Sequence, residues 1–294
     1  MMVCPECRKE ISISAGSQIS CSCGASFTKV NGIWEFEKGY EERFQDHTRE
    51  SIEALLKHAD KHFWLLERKR QVISQITQYL KPNDRFLDVG SGACDIATKL
   101  RGYGLDISIS DIQRISLECG EKLGFENIFQ FDLYKPIFVN HFQGIGSFDV
   151  IEHLDDDVNA VSNLLSMTAP GGYIFATVPA FKILWNNRDI MERHKRRYDK
   201  KQLTSLFLNQ GAQIVSCRYI FFSIFPLLLI RVLLCKLFPK SDFSAKDYQS
   251  QFEITNWTNK TLNFFLRNED KCFSKTGPPF GGSLLIVARK PLGR

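Results

Sequence analysis

A glycine-bearing turn is the part of this 294-residue sequence best suited to approach a ligand. Residues 88–94 read DVGSGAC and continue the short apolar run 85–89, which predicts a strand that leads into a turn and a helix. Gly90 and Gly92 have no side chains, so the backbone can come close to a bound molecule at both positions. We therefore place a ligand site at this turn.

Acidic residues distinguish two cofactors that this turn could hold, a dinucleotide and S-adenosylmethionine. A dinucleotide fingerprint needs glycine at position 95, but the chain has Asp95, whose carboxylate would face a pyrophosphate at a helix N-terminus. S-adenosylmethionine carries positive charge and is favoured. Three acids lie at predicted strand ends. Asp88 would hold the methionine ammonium of this cofactor, directly or through water. Asp111 would hold the ribose hydroxyls, and Asp132 the adenine amino group. The predicted cofactor-binding residues are Asp88, Gly90, Gly92, Asp111, Asp132, Leu133 and Phe148.

Two histidines are the candidates for catalysis. His153 follows the predicted fourth strand, and His194 lies in the loop after the fifth. An imidazole titrates near neutral pH, so either could accept the proton of a hydroxyl acceptor during methyl transfer. The alternative is that each packs at its strand end without a chemical role. The basic run 195–197 could pair with a phosphate or carboxylate of the substrate, or could be a solvated loop.

Four of the nine cysteines form two closely spaced pairs near the N-terminus. Gly24 follows the second pair and allows a tight turn there, so the arrangement approximates the two knuckles of a structural zinc site. A segment this small has little core, and a metal would explain how it folds. The alternative is free cysteines in a disordered tail. The predicted zinc ligands are Cys4, Cys7, Cys21 and Cys23.

Alternating strand and helix patterns must position these residues. The predicted strands are 85–89, 105–110, 128–131, 144–151 and 172–178, and the helices between them are 96–100, 115–122 and 156–167. This alternation implies an α/β, Rossmann-like parallel sheet with right-handed crossovers, which binds ligands beyond the carboxyl ends of its strands. Two further strands are predicted near 213–219 and 283–290.

Composition divides the chain into five parts. We predict a zinc-ribbon-like module at 1–38, a helical linker at 39–80, the core at 81–222, a helical apolar insertion at 223–278 and the final strand at 279–294. The apolar segment 219–238 is interrupted by Arg231 and Lys236, so its uncharged part is shorter than the ~20 residues that a membrane span needs. We expect it to lie on a membrane surface or, alternatively, to cover the sheet or form a dimer.

The motifs resemble those of class I S-adenosylmethionine-dependent methyltransferases over residues 80–220. DVGSGAC, the acids at 111 and 132, and the APGG turn at 169–172 carry this resemblance. The segments 62–64 and 178–198 are similar to a subgroup often encoded beside genes for glycan and lipid-linked sugar synthesis. This family usually has glycine where Cys94 and Arg193 stand, which implies an altered contact with the methionine part and an altered acceptor loop.

Two further resemblances concern metals. Asp149, Glu152 and His153 resemble the pattern with which ubiquinone-type O-methyltransferases hold a divalent cation, and mixed carboxylate and imidazole ligands are chemically reasonable. Neighbouring strand residues point to opposite faces, which speaks against this set unless the strand ends before Glu152. The N-terminal segment resembles the zinc ribbon fused to some rRNA methyltransferases and the related small methyltransferase-partner proteins.

These resemblances imply an S-adenosylmethionine-dependent enzyme that methylates oxygen in a small-molecule, glycan or lipid-linked acceptor. The alternatives are an rRNA or tRNA methyltransferase that uses the ribbon, and a non-catalytic cofactor-binding protein. Nucleic acid is the less favoured partner because the sequence lacks a basic-aromatic patch. The net charge of +5 fits an anionic substrate or a membrane surface contacted through 219–238. Without a secretory signal at Met1, we expect a cytoplasmic, reducing location.

Overall fold

The computed structural model describes residues 1–13, 16–37, 49–238, 250, 252–273 and 277–293. Its strands are β1 (Met2–Val3), β2 (Glu10–Ile11), β3 (Gln18–Ser20), β4 (Ser26–Val30), β5 (Ile33–Glu35), β6 (Arg85–Val89), β7 (Asp106–Asp111), β8 (Asn127–Gln130), β9 (Phe142–Phe148), β10 (Thr168–Pro179), β11 (Gln213–Ile220) and β12 (Ser283–Arg289). Its α-helices are α1 (Arg49–His58), α2 (Phe63–Tyr79), α3 (Asp95–Leu100), α4 (Arg114–Lys122), α5 (Asp157–Met167), α6 (Asn187–Met191), α7 (Lys200–Asn209), α8 (Phe225–Leu237) and α9 (Asn256–Cys272).

A ten-stranded sheet organises the molecule, in the order β11-β12-β10-β9-β6-β7-β8-β5-β4-β3. The strands from β10 to β5 run parallel, whereas β12 pairs antiparallel with both β10 and β11. The α/β prediction with a large central sheet is confirmed, and the sheet is mixed because β12 near one edge and β4 near the other run against the parallel strands. The carboxyl ends of the parallel strands share one edge, where such sheets bind ligands.

Both faces of the sheet are buried. Phe86 of β6 packs with the α2 and α3 side of the core, while its neighbour Leu87 packs with the α5 and α7 side. This follows from the strand period of two residues, which sends successive side chains to opposite faces. Helices on both faces therefore hold the strand ends that form the site.

The N-terminal segment does not sit apart from the sheet but extends it. β5 pairs in parallel with β8, and Ile33 lies opposite Ile128. An ion pair between Glu35 and Arg114 of α4 adds to this junction. The pairing covers the backbone edge of β8, which would otherwise be exposed. The composition of the segment did not reveal this, because strand pairing depends on partners distant in sequence.

Two predicted strand boundaries were wrong. The fourth strand ends at Phe148 and not at 151, because Asp149 has a φ of +57° and the chain continues into a 3₁₀ turn at Ile151–His153. The fifth strand begins at Thr168, before the expected APGG turn. Its pairing with β9 shifts register between Thr168 and Tyr173, so the glycines form an irregularity within the strand.

The predicted helical insertion contains α8 and α9, although 239–249, 251 and 274–276 lie outside the described residues. The same holds for 39–48 of the predicted linker, whose remainder forms α1 and α2. Within the described ranges, no helix combines the length and apolar character needed to cross a membrane.

Candidate functional site

A cavity of about 140 Å³ lies at the carboxyl ends of β6 and β9, against the glycine turn. Gly90 has a φ of +70°, and a Cβ there would lie 2.5 Å from Cγ2 of Val150. Gly92 has a φ of +51° and borders open space. The lining includes Trp64, Arg68, Gly90, Ser91, Gly92, Ala93, Asp95, Phe148, Asp149, His153, Arg188, Glu192 and His194. The sequence therefore builds a cradle that side chains at either glycine would fill or distort.

The two positions where the family usually has glycine both have left-handed backbone. Cys94 has a φ of +56° and Arg193 a φ of +55°, which explains the preference for glycine. The Cys94 side chain is buried beneath the turn, with its Sγ 3.9 Å from the carbonyl oxygen of Ser116. Arg193 is exposed and lines neither described cavity. The expected effects of Cys94 on the methionine contact and of Arg193 on the acceptor loop stay predictions.

The strand-end acids occupy different positions relative to the cavity. The Asp111 carboxylate accepts hydrogen bonds from the backbone N–H groups of Gly92 (3.1 Å) and Gln113 (2.9 Å), so it braces the glycine turn. Asp88 is buried beneath the turn, and burial together with Asp95 raises its pKa to about 8. Asp132 accepts a hydrogen bond from the N–H of Tyr134.

Arg68 and Asp95 are two of the charged groups at the cavity that the sequence did not single out as ligands. Arg68 reaches from α2 to form ion pairs with Asp149 and, at 3.8 Å, with Asp95. Lys69 lies 3.6 Å from the same Asp95 carboxylate. An amphipathic helix gives no sign of which cation faces a ligand, so these contacts required the tertiary structure.

A second, larger cavity of about 290 Å³ adjoins the first. Trp64, Asp149, Arg188, Glu192 and His194 line both of them. One side of the larger cavity is apolar and comes from α2, the start of α8 and α9. These residues are Phe63, Trp64, Ile224, Leu227, Leu228 and Leu262. The cavity pair thus offers adjoining spaces for two molecules, one of them partly apolar.

His194 lies in a network of carboxylates. Its Nδ1 is 2.9 Å from Asp189 and its Nε2 is 3.3 Å from Glu192. Burial lowers the pKa of His194, but these two carboxylates outweigh that effect and raise it to about 10. His194 is therefore an imidazolium at neutral pH and is poorly suited to accept a proton.

The basic run follows His194 and joins its network through Arg197. Arg197 pairs with Asp189 at 2.6 Å, and Arg196 pairs with Asp157 at 2.8 Å. Lys195 pairs with Asp155 at the surface. Each of the three cations is thus engaged by a carboxylate of the protein, which does not favour their use as a phosphate site.

Glu152 lies on the 3₁₀ turn after β9 and lines the larger cavity. Its side chain is fully buried, and neither carboxylate oxygen has a hydrogen-bond partner among the described residues. Burial and the neighbouring Asp149 raise its pKa to about 8, against the opposing effect of His194. Such a group is a functional candidate, because buried polar atoms normally find partners.

The predicted cation set is rearranged. Glu152, His153 and His194 bring ligand atoms within 4.8 Å of one another, and the rings of the two histidines meet edge to face at 4.8 Å. Asp149 instead holds Arg68 and accepts a hydrogen bond from Thr177. Because both nitrogens of His194 already contact carboxylates, this cluster favours proton chemistry over metal ligation.

The four N-terminal cysteines converge as predicted. The Sγ atoms of Cys4 and Cys23 are 3.8 Å apart, those of Cys7 and Cys21 are 3.4 Å apart, and all four lie within 4.8 Å of one another. A tetrahedral zinc with Zn–S bonds of ~2.3 Å separates its sulfurs by roughly 3.8 Å, so the arrangement fits that ion.

Residues 37–217 match a family model described as a methyltransferase domain, which is more than half of the chain. The chain belongs to this family. No individual curated protein matches the sequence.

Solved structures share the fold at low sequence identity. Phosphoethanolamine N-methyltransferase 2 of Haemonchus contortus, bound to S-adenosylmethionine, has a TM-score of 0.56 at 14% identity, over 86% of this chain and 59% of that protein. The [4+2]-cyclase SpnF has a TM-score of 0.52 at 16% identity, over 76% of this chain and 81% of that one.

A third similar structure is a complex of the Haloferax volcanii Trm112 methyltransferase activator with a putative methyltransferase. Its TM-score is 0.54 at 13% identity, over 84% of this chain and 99% of that one. The cyclase shows that this fold hosts more than one reaction, so the chemistry must be argued from the site.

The predicted site residues of this methyltransferase-family chain fall into two groups, those that line a cavity and those that do not. Gly90, Gly92, Phe148 and His153 line the smaller cavity, and His194 lines both cavities. Asp88, Asp111, Asp132 and Leu133 lie outside that lining, and Leu133 packs in the core. Their ligand contacts stay predictions. The sequence did contain Glu152, but only as part of a metal pattern.

Proposed function

We propose that this protein uses S-adenosylmethionine to methylate a hydroxyl group of an amphipathic, lipid-linked acceptor. The observation that supports this most is the pair of adjoining cavities, one against the glycine turn and one with an apolar side. Trp64, Asp149 and His194 belong to both linings, so molecules in the two spaces would meet at these residues.

The smaller cavity suits the cofactor. When bound, S-adenosylmethionine supplies a methyl group activated by a sulfonium. Asp95 and Arg68 carry the opposite charges that a zwitterionic methionine part needs, and Asp111 fixes the turn through the Gly92 N–H. The protein's main contribution is alignment, because methyl transfer is an in-line displacement. The S-adenosylmethionine complex of the structurally similar nematode enzyme supports this choice of ligand.

The larger cavity suits the acceptor. Ile224, Leu227 and Leu228 of the α8 region form part of its wall, and the rest of α8 presents leucines to solvent. We propose that an isoprenoid or acyl tail follows this face while the hydroxyl-bearing head enters the cavity. The same face would rest on a membrane surface, and we propose a cytoplasmic protein with this peripheral contact.

The N-terminal cysteines are proposed to hold one structural zinc. Their spacing fits the ion, and the short strands β3, β4 and β5 have few core residues of their own. The ribbon also keeps an RNA acceptor as the alternative function.

Calorimetry with S-adenosylmethionine tests the proposal. We expect the purified chain to bind the cofactor, and Asp111→Ala to weaken binding at least about tenfold because the Gly92 N–H loses its acceptor. Asp106→Ala, at the exposed start of β7, is the matched control and should bind like the wild type. An absence of binding by the wild type would refute the cofactor and with it the enzyme. Binding to anionic vesicles, compared with bulk RNA, separates the two acceptor classes.

A further inference from the structure

We propose that Glu152 accepts the proton of the acceptor hydroxyl during methyl transfer. This inference rests on the proposed function and deepens it, since it assigns the base and thereby the class of acceptor atom. It also moves this role away from the two histidines that the sequence suggested.

Glu152 is a buried acid that lines the larger cavity. The side chain has 0% exposure, and both carboxylate oxygens lack a hydrogen-bond partner among the described residues. Leaving a buried carboxylate without partners destabilises the fold, so such a group persists where it has a task that a bound molecule completes. The cavity beside it is where that molecule would lie.

The neighbouring carboxylates are already engaged in ion pairs. Asp149 pairs with Arg68, and Glu192 pairs with Arg188 at 2.8 Å and with His194 at 3.3 Å. Of the three carboxylates that line the larger cavity in the described structure, Glu152 is the one without an ion pair or hydrogen bond. It can therefore turn to a substrate without breaking a contact of the protein.

Titratable groups from two parts of the chain surround Glu152. Asp149 follows β9, His153 shares the 3₁₀ turn, and Glu192, His194 and Tyr198 face Glu152 from the segment after α6. Burial and Asp149 disfavour the ionised form of Glu152, whereas His194 favours it, and the balance raises the pKa of Glu152 to about 8. A base that titrates near the working pH serves proton transfer well.

The step balances without a further reactant. The acceptor oxygen forms a bond to the methyl carbon as the carbon–sulfur bond breaks, and the sulfur keeps that electron pair. The hydroxyl proton passes to a Glu152 carboxylate oxygen. The products are a methyl ether, S-adenosylhomocysteine and a protonated Glu152, which returns its proton to solvent when the site opens.

The cofactor's charge gives a measurement that needs no acceptor. A sulfonium bound in the adjoining cavity favours the ionised carboxylate, so cofactor binding should release a proton from Glu152. Calorimetry at pH 7.5 in two buffers of different ionisation enthalpy counts released protons. We expect the wild type to release more than Glu152→Gln, with cofactor affinities within about twofold. The pKa of Asp88 is also raised to about 8, so the proton count of Asp88→Asn measures how much of the release comes from that carboxyl.

Turnover of a prenyl-phosphate-linked glucose in vesicles, assayed with and without EDTA, gives the second readout. We expect Glu152→Gln to lower kcat by about 10²–10⁴-fold with little change in KM, and to remove the rise of kcat with pH near 8. Glu152→Asp should recover part of the rate, and Glu126→Gln, on an exposed loop, should behave as wild type.

The outcomes separate the two proposals. Failure of the wild type to bind S-adenosylmethionine refutes the proposed function. Cofactor binding with equal proton release by wild type and Glu152→Gln overturns the inference alone, as does full activity of that variant. Loss of wild-type turnover in EDTA, restored by Mg²⁺ or Mn²⁺, would also overturn it and make Glu152 a metal ligand.

Discussion

At the scale of residues, the site depends on which charges are paired inside it. The carboxylates of Asp189 and Glu192 contact His194 and keep it protonated, whereas Glu152 forms no ion pair or hydrogen bond with either arginine of this network. At neutral pH the histidine is therefore charged and the glutamate is largely uncharged, which reverses what their ordinary pKa values suggest. This inversion arises because a buried ion pair stabilises charge while burial alone removes it.

The protonated state of His194 predicts a pH-dependent contribution to stability. Its pKa rises from an ordinary 6.5 to about 10 on folding, so its stabilising effect is complete below 6.5 and disappears as the pH passes 10. His194→Gln should cost about 1.5–3 kcal/mol at pH 6, because it removes one charged hydrogen-bond partner from Asp189 and Glu192, which keep their arginine partners. The cost should shrink at pH 10, as measured by urea unfolding at both pH values.

The control for this prediction is His62→Gln. Burial lowers the pKa of His62 to about 4, so that histidine is neutral across the same range. Its substitution should cost the same at pH 6 and pH 10. An equal cost of His194→Gln at the two pH values would contradict a buried imidazolium.

At the scale of elements, α8 is unusual because Val232 is the one of its described side chains that is fully buried. Leu233 is 58% exposed, and Trp257 at the start of α9 is 77% exposed. Exposed Lys236, Lys260 and Lys271 accompany these apolar side chains. A protein surface that combines apolar and basic side chains is better suited to contact an anionic membrane than to face water alone.

We expect the chain to float with vesicles that contain phosphatidylglycerol, and to do so less at high salt. Leu233→Asp combined with Leu237→Asp should weaken vesicle binding at least about tenfold, because both side chains lose apolar contact. Cofactor affinity should not change. Leu208→Asp on α7, where the leucine is 53% exposed, is the matched control. Equal flotation of all three proteins would exclude α8 as the contact.

At the scale of the whole molecule, the cysteine-bearing segment is joined to the sheet at β8. β5 lies beside β8, Phe36 donates its N–H to the Gln130 carbonyl, and Gln130 in turn donates to the Ile112 carbonyl just after Asp111. Loss of the fold around the four cysteines would uncover the β8 edge and loosen the strand end that braces the glycine turn.

Zinc analysis should therefore find one ion for each chain. We expect Cys4→Ser to lose it and to lower the melting temperature on the order of 5–10 °C, with weaker cofactor binding and more self-association. Cys272→Ser, an exposed free cysteine on α9, is the matched control. A wild type that is folded but free of zinc would refute the site.

Much of this architecture could be predicted because local patterns carry it. The apolar run before DVGSGAC and the strand-end acids indicated the sheet and the place of the site. The residues at which the strands end could not be predicted as well as the strands themselves. The left-handed Asp149 ends β9 early and aims Glu152 into the larger cavity, and nothing about an aspartate requires that conformation.

The sequence by itself determined the family of fold, the glycine cradle and the four converging cysteines, because these depend on residue type and short spacing. The tertiary structure alone decided that β5 completes the sheet, that Arg68 enters the smaller cavity, and that Glu152 stays unpaired beside an imidazolium. Those features arise from contacts between residues distant in the chain. Burial and ion pairing there set each charge, and no local pattern records them.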